Sequence, residues 1–327
     1  MIGKWIAPAD DPSLVAVRAR YLTAVERLSP RLAAPASRLV ERLSTANWLL
    51  EWNLPRWLGQ AFGLPPEVSE ELVLANLYGL AYVRLQDDLV DGEVSGEERE
   101  TSILLGTALY HMWLIQHVSL LQGQQDFWRC FDEYLGQWLR ATMERGGPGR
   151  DELRAGDAGA MRRLAARGAP LKVCCAAACS LDGQEARLES LEVGIDHLLA
   201  GAVLVDHVQD WEEDLASGRY NALVTYLVPR EQRADEGEDL RQAVLEELYL
   251  KDAARPYLGL AQQQFRQALV YVRAAGVPRL MEYLAWAAEQ TERYANRMAA
   301  EFRDRLRVMV EGLLSSSVGE EQAEMDA

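Results

Sequence analysis

Apolar residues recur at helical spacing along nearly the whole chain, with prolines and glycines marking the breaks. The pattern predicts helices over 13–27 and 36–51, divided by Pro30 and Pro35, and a long helix over 67–91 after Pro65-Pro66. Two aromatic-bearing helices follow at 101–122 and 125–145, closed by Gly146-Gly147-Pro148-Gly149. Beyond them lie an arginine-bearing segment at 157–181 and helices over 188–217, 238–249, 252–274 and 278–312. The best strand candidate, Val-Thr-Tyr-Leu-Val at 224–228, reads as the continuation of a helix. The fold class is therefore all-α. With no repeat, linker or low-complexity tract, residues 1–314 read as a single helical domain. Residues 315–327, Ser-Ser-Ser followed by Glu and Asp, read as a disordered acidic tail.

Composition narrows the function classes. Apolar residues make up 49% of the 327, enough for a substantial core. A net charge of −16 and the lack of a basic stripe argue against nucleic acid and against an anionic membrane surface. The four cysteines (130, 174, 175, 179) form no CxxC pair and read as small core residues in a reducing compartment. Met1–Asp10 has no apolar signal core, and the residues show no apolar run of bilayer length. A soluble, cytoplasmic chain without a stable membrane anchor is expected. His111, His117, His197 and His207 are scattered and suggest no metal cluster.

The acids carry the chemistry. Asp87, Asp88 and Asp91, and then Asp206, Asp210, Glu213 and Asp214, each close an apolar helical stretch just before a glycine, Gly92 or Gly218. A helix C-terminus disfavours a carboxylate by about 0.3–1 kcal/mol, so such clusters imply a compensating cation. Asp87, Asp88 and Asp91 share an arc of about 100°, and Asp206, Asp210 and Asp214 climb one face at about 6 Å steps. Oxygen donors so placed suit Mg²⁺, which takes one or two carboxylates and completes its shell with water and phosphate oxygens. Two such helix ends facing each other would clamp a diphosphate. Residues 87–100 hold seven carboxylates against Arg99 alone, although Glu97, Glu98 and Glu100 read as ordinary solvated residues.

With both clusters placed, the chain resembles the class I isoprenoid synthases over about residues 70–300. Asp87-Asp88-x-x-Asp91 matches their first aspartate-rich motif. Asp206-xxx-Asp210-xxx-Asp214-xxx-Gly218-xx-Asn221-xx-Val224 resembles the second metal motif of terpene cyclases, with aspartate at all three positions as in prenyltransferases. Asp210-Trp211-Glu212-Glu213-Asp214 with Gly218-Arg219 also resembles the squalene/phytoene-type head-to-head synthases. Arg293-Tyr294, 79 residues past Asp214, is similar to the diphosphate-holding Arg-Tyr pair of bacterial cyclases. Arg163, 43 residues before Asp206, falls near their diphosphate-sensing arginine, with Arg162 as the close alternative. The arginine pair and the Gly-Lys-x-Arg segment of chain-elongating prenyltransferases are absent, while the 115 residues between Asp91 and Asp206 are short for a cyclase.

The resemblance implies a helical bundle around a central apolar cavity and a Mg²⁺-dependent terpene synthase, with three ions bound alongside substrate. Asp87, Asp88, Asp91, Asp206, Asp210 and Asp214 would be the metal residues, with Asp88 either on an ion or behind one of its ligands. Arg162, Arg163, Arg219, Arg293 and Tyr294 would hold diphosphate, since a guanidinium forks onto phosphate oxygens. Trp113, Trp138, Tyr283, Trp286 and Trp211 would wall the cavity, where aromatic faces stabilise a cation. The expected reaction is ionisation of farnesyl or geranylgeranyl diphosphate to an allylic carbocation with loss of inorganic diphosphate. The alternatives are a chain-elongating or head-to-head prenyltransferase and a non-catalytic prenyl-diphosphate-binding protein. A homodimer is also expected.

Overall fold

The computed structural model describes residues 12–45, 49–144, 146–229 and 238–325, and their regular elements are helices without a strand. In chain order they are α1 (Pro12–Leu28), α2 (Ala33–Thr45), α3 (Leu49–Ala61), α4 (Pro66–Val90), α5 (Glu97–Leu121), α6 (Gln125–Met143), α7 (Arg150–Ala155) and α8 (Ala158–Ala165). There follow α9 (Lys172–Asp182), α10 (Leu188–Gln209), α11 (Trp211–Ala216), α12 (Ala222–Leu227), α13 (Glu238–Leu250), α14 (Ala254–Ala275) and α15 (Pro278–Met325). The all-α expectation holds.

Several boundaries depart from the periodicity for identifiable reasons. The expected helix over 36–51 is replaced by α2 and α3, and α3 accommodates Pro55 in its interior. Segment 157–181 is α8, a 3-10 turn over Ala166–Leu171 containing Pro170, and α9, because Pro170 has no N–H to continue an α-helical ladder. The β-branched stretch at 224–228 is indeed helical through Leu227: Asn221 Oδ1 accepts from the N–H groups of Leu223 (2.9 Å) and Val224 (3.2 Å) and caps α12. Helix α15 runs on to Met325, into the segment whose composition predicts disorder. Two helical stretches, Glu98–Leu121 and Ala158–Asp182, have the length and apolarity of a bilayer span, which the residue pattern did not suggest; the second is largely buried within the protein.

Packing divides the chain into two compact units. The first comprises Met1–Glu144, Ala166–Asp196 and Ala268–Leu284. Its main axis is α4 against α5, with α3 also on α4, and α6 against the 166–171 turn and α9. Helix α4 starts on Pro66, whose missing N–H costs nothing at a helix start, and is buried from Leu72 through Val83 at all but one position. Gly79 lets α5 approach: a Cβ there would lie 2.3 Å from the Trp113 ring. Trp113 packs on Phe131 at 4.7 Å between ring centres, and Phe127, Phe131, Tyr134 and Trp138 form the buried stripe of α6. A buried lysine, Lys172, is paired with Asp196 (2.8 Å) and Gln137 (2.9 Å), which satisfies its charge in the core.

The second unit comprises Arg145–Ala165, His197–Gln267 and Ala285–Ala327. Leu153, Leu164, Leu204, Trp211, Leu223, Val244, Tyr257 and Ala261 are central to its apolar core, with Tyr294 packed against it.

Candidate metal and diphosphate site

In the first unit the acids occupy the C-terminal turn of α4. Asp91 caps the helix, its N–H bonded to the Asp87 carbonyl at 2.8 Å, and Glu93 N–H reaches back to the Asp88 carbonyl at 2.9 Å. With Gly92 at φ +77°, this is a Schellman termination, which requires the left-handed backbone that glycine adopts without strain. The three aspartates diverge in what they touch. Asp88 is buried and ion-paired with Arg42 and with Arg84 (3.0 Å), so both its oxygens are engaged by guanidinium groups. Asp87, half-buried, accepts the indole N–H of Trp138 at 3.3 Å. No Lys, Arg or His lies within ion-pair distance of Asp87 among the described residues. Burial pushes its carboxyl up to about 6; the Trp138 hydrogen bond and the charge of Arg167 oppose this, and the nearby charge of Asp91 adds to it. Asp91 is exposed.

In the second unit the helix expected over 188–217 bends at Asp210. That residue sits at φ −105°, ψ 5° between α10 and α11, and its own N–H still reaches the Asp206 carbonyl at 3.0 Å. Asn221 explains the bend. Its Nδ2 donates to the His207 carbonyl at 3.0 Å, the oxygen that would accept from Trp211 in an unbroken helix. The bend also changes the electrostatics anticipated for this cluster: Asp214 lies in the first turn of α11 as well as near its end. Asp214 is buried, with one oxygen accepting from Arg219 Nε (3.0 Å) and the other from Asn221 Nδ2 (2.8 Å). Asp206 and Asp210 are exposed. Partial burial raises the Asp210 pKa, as do the charges of Asp214 and Glu213, against the pull of Arg219. Gly218 (φ +68°) terminates α11 as Gly92 terminates α4, with Arg219 N–H returning to the Asp214 carbonyl at 2.8 Å.

The predicted diphosphate residues have acidic or carbonyl neighbours. Arg163 pairs with Glu152 at 2.6 Å, Arg162 Nε donates to the Ala158 carbonyl (3.3 Å), and Arg293 pairs with Glu289. Arg219 spans Glu213 (2.8 Å) and Asp214. Tyr294 is half-buried against the second core, beneath Arg297. Of the aromatics, Trp113 and Trp138 belong to one cluster of the first unit, joined through Tyr82 at 6.3 and 5.9 Å. Tyr283 packs 5.9 Å from Trp57. Trp286 is half-buried in the second unit, and Trp211 is core there.

Among the described residues, no three Asp, Glu, His or Cys side chains converge to form a ready-made metal cage. The donors of each unit taken by themselves, Asp87 and Asp91 in the first and Asp206 and Asp210 in the second, nonetheless fit the chemistry of a hard cation, because Mg²⁺ ordinarily takes only one or two carboxylates with the substrate's phosphate oxygens. The anchoring arginines Arg42 and Arg84 escaped the residue pattern, although Arg84, one turn before Asp88, carried a visible signal. A cavity of about 250 Å³ lined in part by Trp52, Arg56, Gly59, Ser69, Glu70 and Val73 lies toward the N-terminal end of α4. Helix rise puts it roughly 25 Å from Asp87.

No protein-family profile matches the chain, and no curated protein matches it in sequence. Ten solved chains match in structure. One is the crystal structure of geranylgeranyl pyrophosphate synthase from Lactobacillus brevis ATCC 367, with TM-score 0.66 and 14% identity over 86% of this chain and 96% of that one. Identity so low speaks to architecture alone, and what it establishes is that this chain has the all-α fold of that synthase.

Proposed function

We propose that the chain is a Mg²⁺-dependent enzyme that ionises an allylic prenyl diphosphate, farnesyl or geranylgeranyl diphosphate, and acts as a terpene synthase. Residues 1–314 are the catalytic region in this reading. The observation that carries it is the contrast inside the first motif. Asp88 is neutralised by two arginines, whereas Asp87, one residue away and partly buried, accepts an indole N–H and forms no ion pair among the described residues, the charges of Arg167 and Arg84 offsetting only part of its burial. A carboxylate kept short of positive charge beside Asp91 is what a hard cation would repay.

In the proposal Asp87, Asp91, Asp206 and Asp210 hold the metal. When bound, Mg²⁺ supplies neutralisation of the charge that develops on the departing diphosphate. Asp88 and Asp214 act by orienting their neighbours, since their oxygens are already engaged. Arg163 and Arg293 exchange their exposed partners Glu152 and Glu289 for phosphate oxygens. Such exposed pairs are screened by water and hold little free energy, so the exchange costs little. Trp138, which donates to Asp87 and packs edge-on to Tyr82, presents aromatic surface next to Asp87, suited to a nearby cation.

A second reading is favoured by the fold likeness: transfer of the allylic group to isopentenyl diphosphate, as the printed name of the similar synthase suggests. Both readings share the ionisation step. Incubation with Mg²⁺ and geranyl, farnesyl or geranylgeranyl diphosphate, with and without isopentenyl diphosphate, separates them. Inorganic diphosphate with a hydrocarbon or alcohol of unchanged carbon count supports the synthase. A longer prenyl diphosphate formed only with isopentenyl diphosphate supports transfer. Binding without diphosphate release from any substrate would sink both.

A further inference from the structure

The cavity at the N-terminal end of α4 is built within the first unit alone and lies roughly 25 Å along the helix from Asp87. Its apolar wall comes from three helices: Leu14 and Val17 of α1, Trp52 of α3 and Val73 of α4, all but Leu14 being buried. Small residues open it. Gly59 of α3 faces Ser69 of α4, and a Cβ on Gly59 would run into the Ser69 hydroxyl, so neither helix carries bulk at that point. Two side chains of opposite charge line the same space: Arg56, half-buried, from α3 and Glu70, exposed, from α4. Asn53, buried, adds a carboxamide.

We infer that this cavity binds a free amino acid with an apolar side chain, of the size of leucine, isoleucine or methionine. Volume sets the size. At about 250 Å³ the cavity lies just below the ordinary range of small-ligand pockets, about 300–1,000 Å³. With about 30 Å³ for a water in the liquid, it holds roughly eight water-sized groups, too few for a prenyl chain of farnesyl length. Charge sets the headgroup. A lone anion would meet Arg56, but also Glu70 and Glu67 in the first turns of α4, on a chain of net charge −16. A lone cation would meet Arg56. A zwitterion suits both, with its carboxylate on the Arg56 guanidinium, whose fork matches carboxylate oxygens, and its ammonium on Glu70. The apolar side chain then leaves water for the wall of Val17, Trp52 and Val73.

Isothermal titration calorimetry on the full chain, with neither Mg²⁺ nor a prenyl diphosphate present, tests this apart from the proposed reaction. L-Leucine, L-isoleucine or L-methionine should give a saturable heat at millimolar concentration. N-Acetyl-L-leucine, which lacks the ammonium, and L-leucinamide, which lacks the carboxylate, should each bind about tenfold or more weakly than leucine, the effect of losing one charge-assisted hydrogen bond. Arg56→Gln should weaken leucine by a similar factor and leave leucinamide unaffected, while Glu70→Gln should weaken leucine and leave N-acetyl-leucine unaffected, both with unchanged helical circular dichroism. The three-ligand comparison uses the wild-type chain and stands even where a variant fails to fold. No saturable heat from any of the three amino acids, binding of N-acetyl-leucine or decanoate as tight as that of leucine, or wild-type leucine affinity in both folded variants would each overturn the inference.

Discussion

Asn221 Nδ2 donates to Asp214 Oδ2 at 2.8 Å, and the same amide also reaches the His207 carbonyl while its oxygen caps α12. One buried side chain thus bends α10 into α11, starts α12 and fixes the last carboxylate of the second motif. Asn221→Ala removes the cap and leaves a buried carboxylate short of a donor, so a loss of about 2–4 kcal/mol in urea unfolding is expected. A loss within 0.5 kcal/mol of zero would show the network to be dispensable, on the scale of ordinary surface substitutions, roughly ±0.5 kcal/mol.

Adjacent aspartates should behave differently on substitution. Asp88→Ala removes the ion pairs that Asp88 makes with Arg42 and Arg84 and should cost about 1–3 kcal/mol of stability, moderated because both arginines reach water. Asp87→Ala should leave the melting temperature close to wild type in chelator, yet abolish diphosphate release with Mg²⁺. Equal melting behaviour of the two variants would contradict the roles assigned to them.

His117 should make the first unit acid-sensitive. It is buried, with Nδ1 on the Trp113 carbonyl (2.9 Å) and its ring stacked on Phe127, and Nε2 has no partner among the described residues. Burial lowers its pKa from 6.5 to about 4. Above 6.5 the imidazole is neutral whether folded or unfolded. As pH falls the unfolded chain binds the proton first, so stability declines from about pH 6.5 and levels off near 4, by up to about 3 kcal/mol. His117→Phe should flatten that part of the stability profile, which chemical denaturation at a series of pH values would reveal.

Gly79→Ala tests the close approach of α4 and α5. The added methyl would sit 2.3 Å from the Trp113 ring, whose core position leaves little room to yield. Overpacking of this kind costs about 1–3 kcal/mol, against the few tenths to 1 kcal/mol that Gly→Ala normally gains in a helix interior. A variant that melts above wild type would show that the indole can move aside.

Much of the architecture was legible from local pattern. The 3.6-residue period located α4, α5 and α6, and a proline pair and two glycines marked where helices begin and end. Pro170 was equally visible, yet the 3-10 turn around it was not anticipated, because a proline's effect depends on whether neighbouring helices supply alternative bonds. The bend at Asp210 had no local cause to read. It depends on an amide eleven residues downstream that reaches back only once α12 is in place.

By itself, the sequence determined an all-α chain, the positions of two acid clusters at glycine-terminated helix ends, and a surface charge unsuited to polyanions, because each of these follows from residue type and spacing within one helix. Tertiary structure alone decided which carboxylate is spoken for and which is not. Spacing placed Asp87 and Asp88 on one arc and left open whether Asp88 meets an ion or stands behind a ligand; the difference between them comes from Arg42, far away in the chain, and from the Trp138 indole on a different helix. Such assignments arise from contacts between elements, and no window of neighbouring residues contains them.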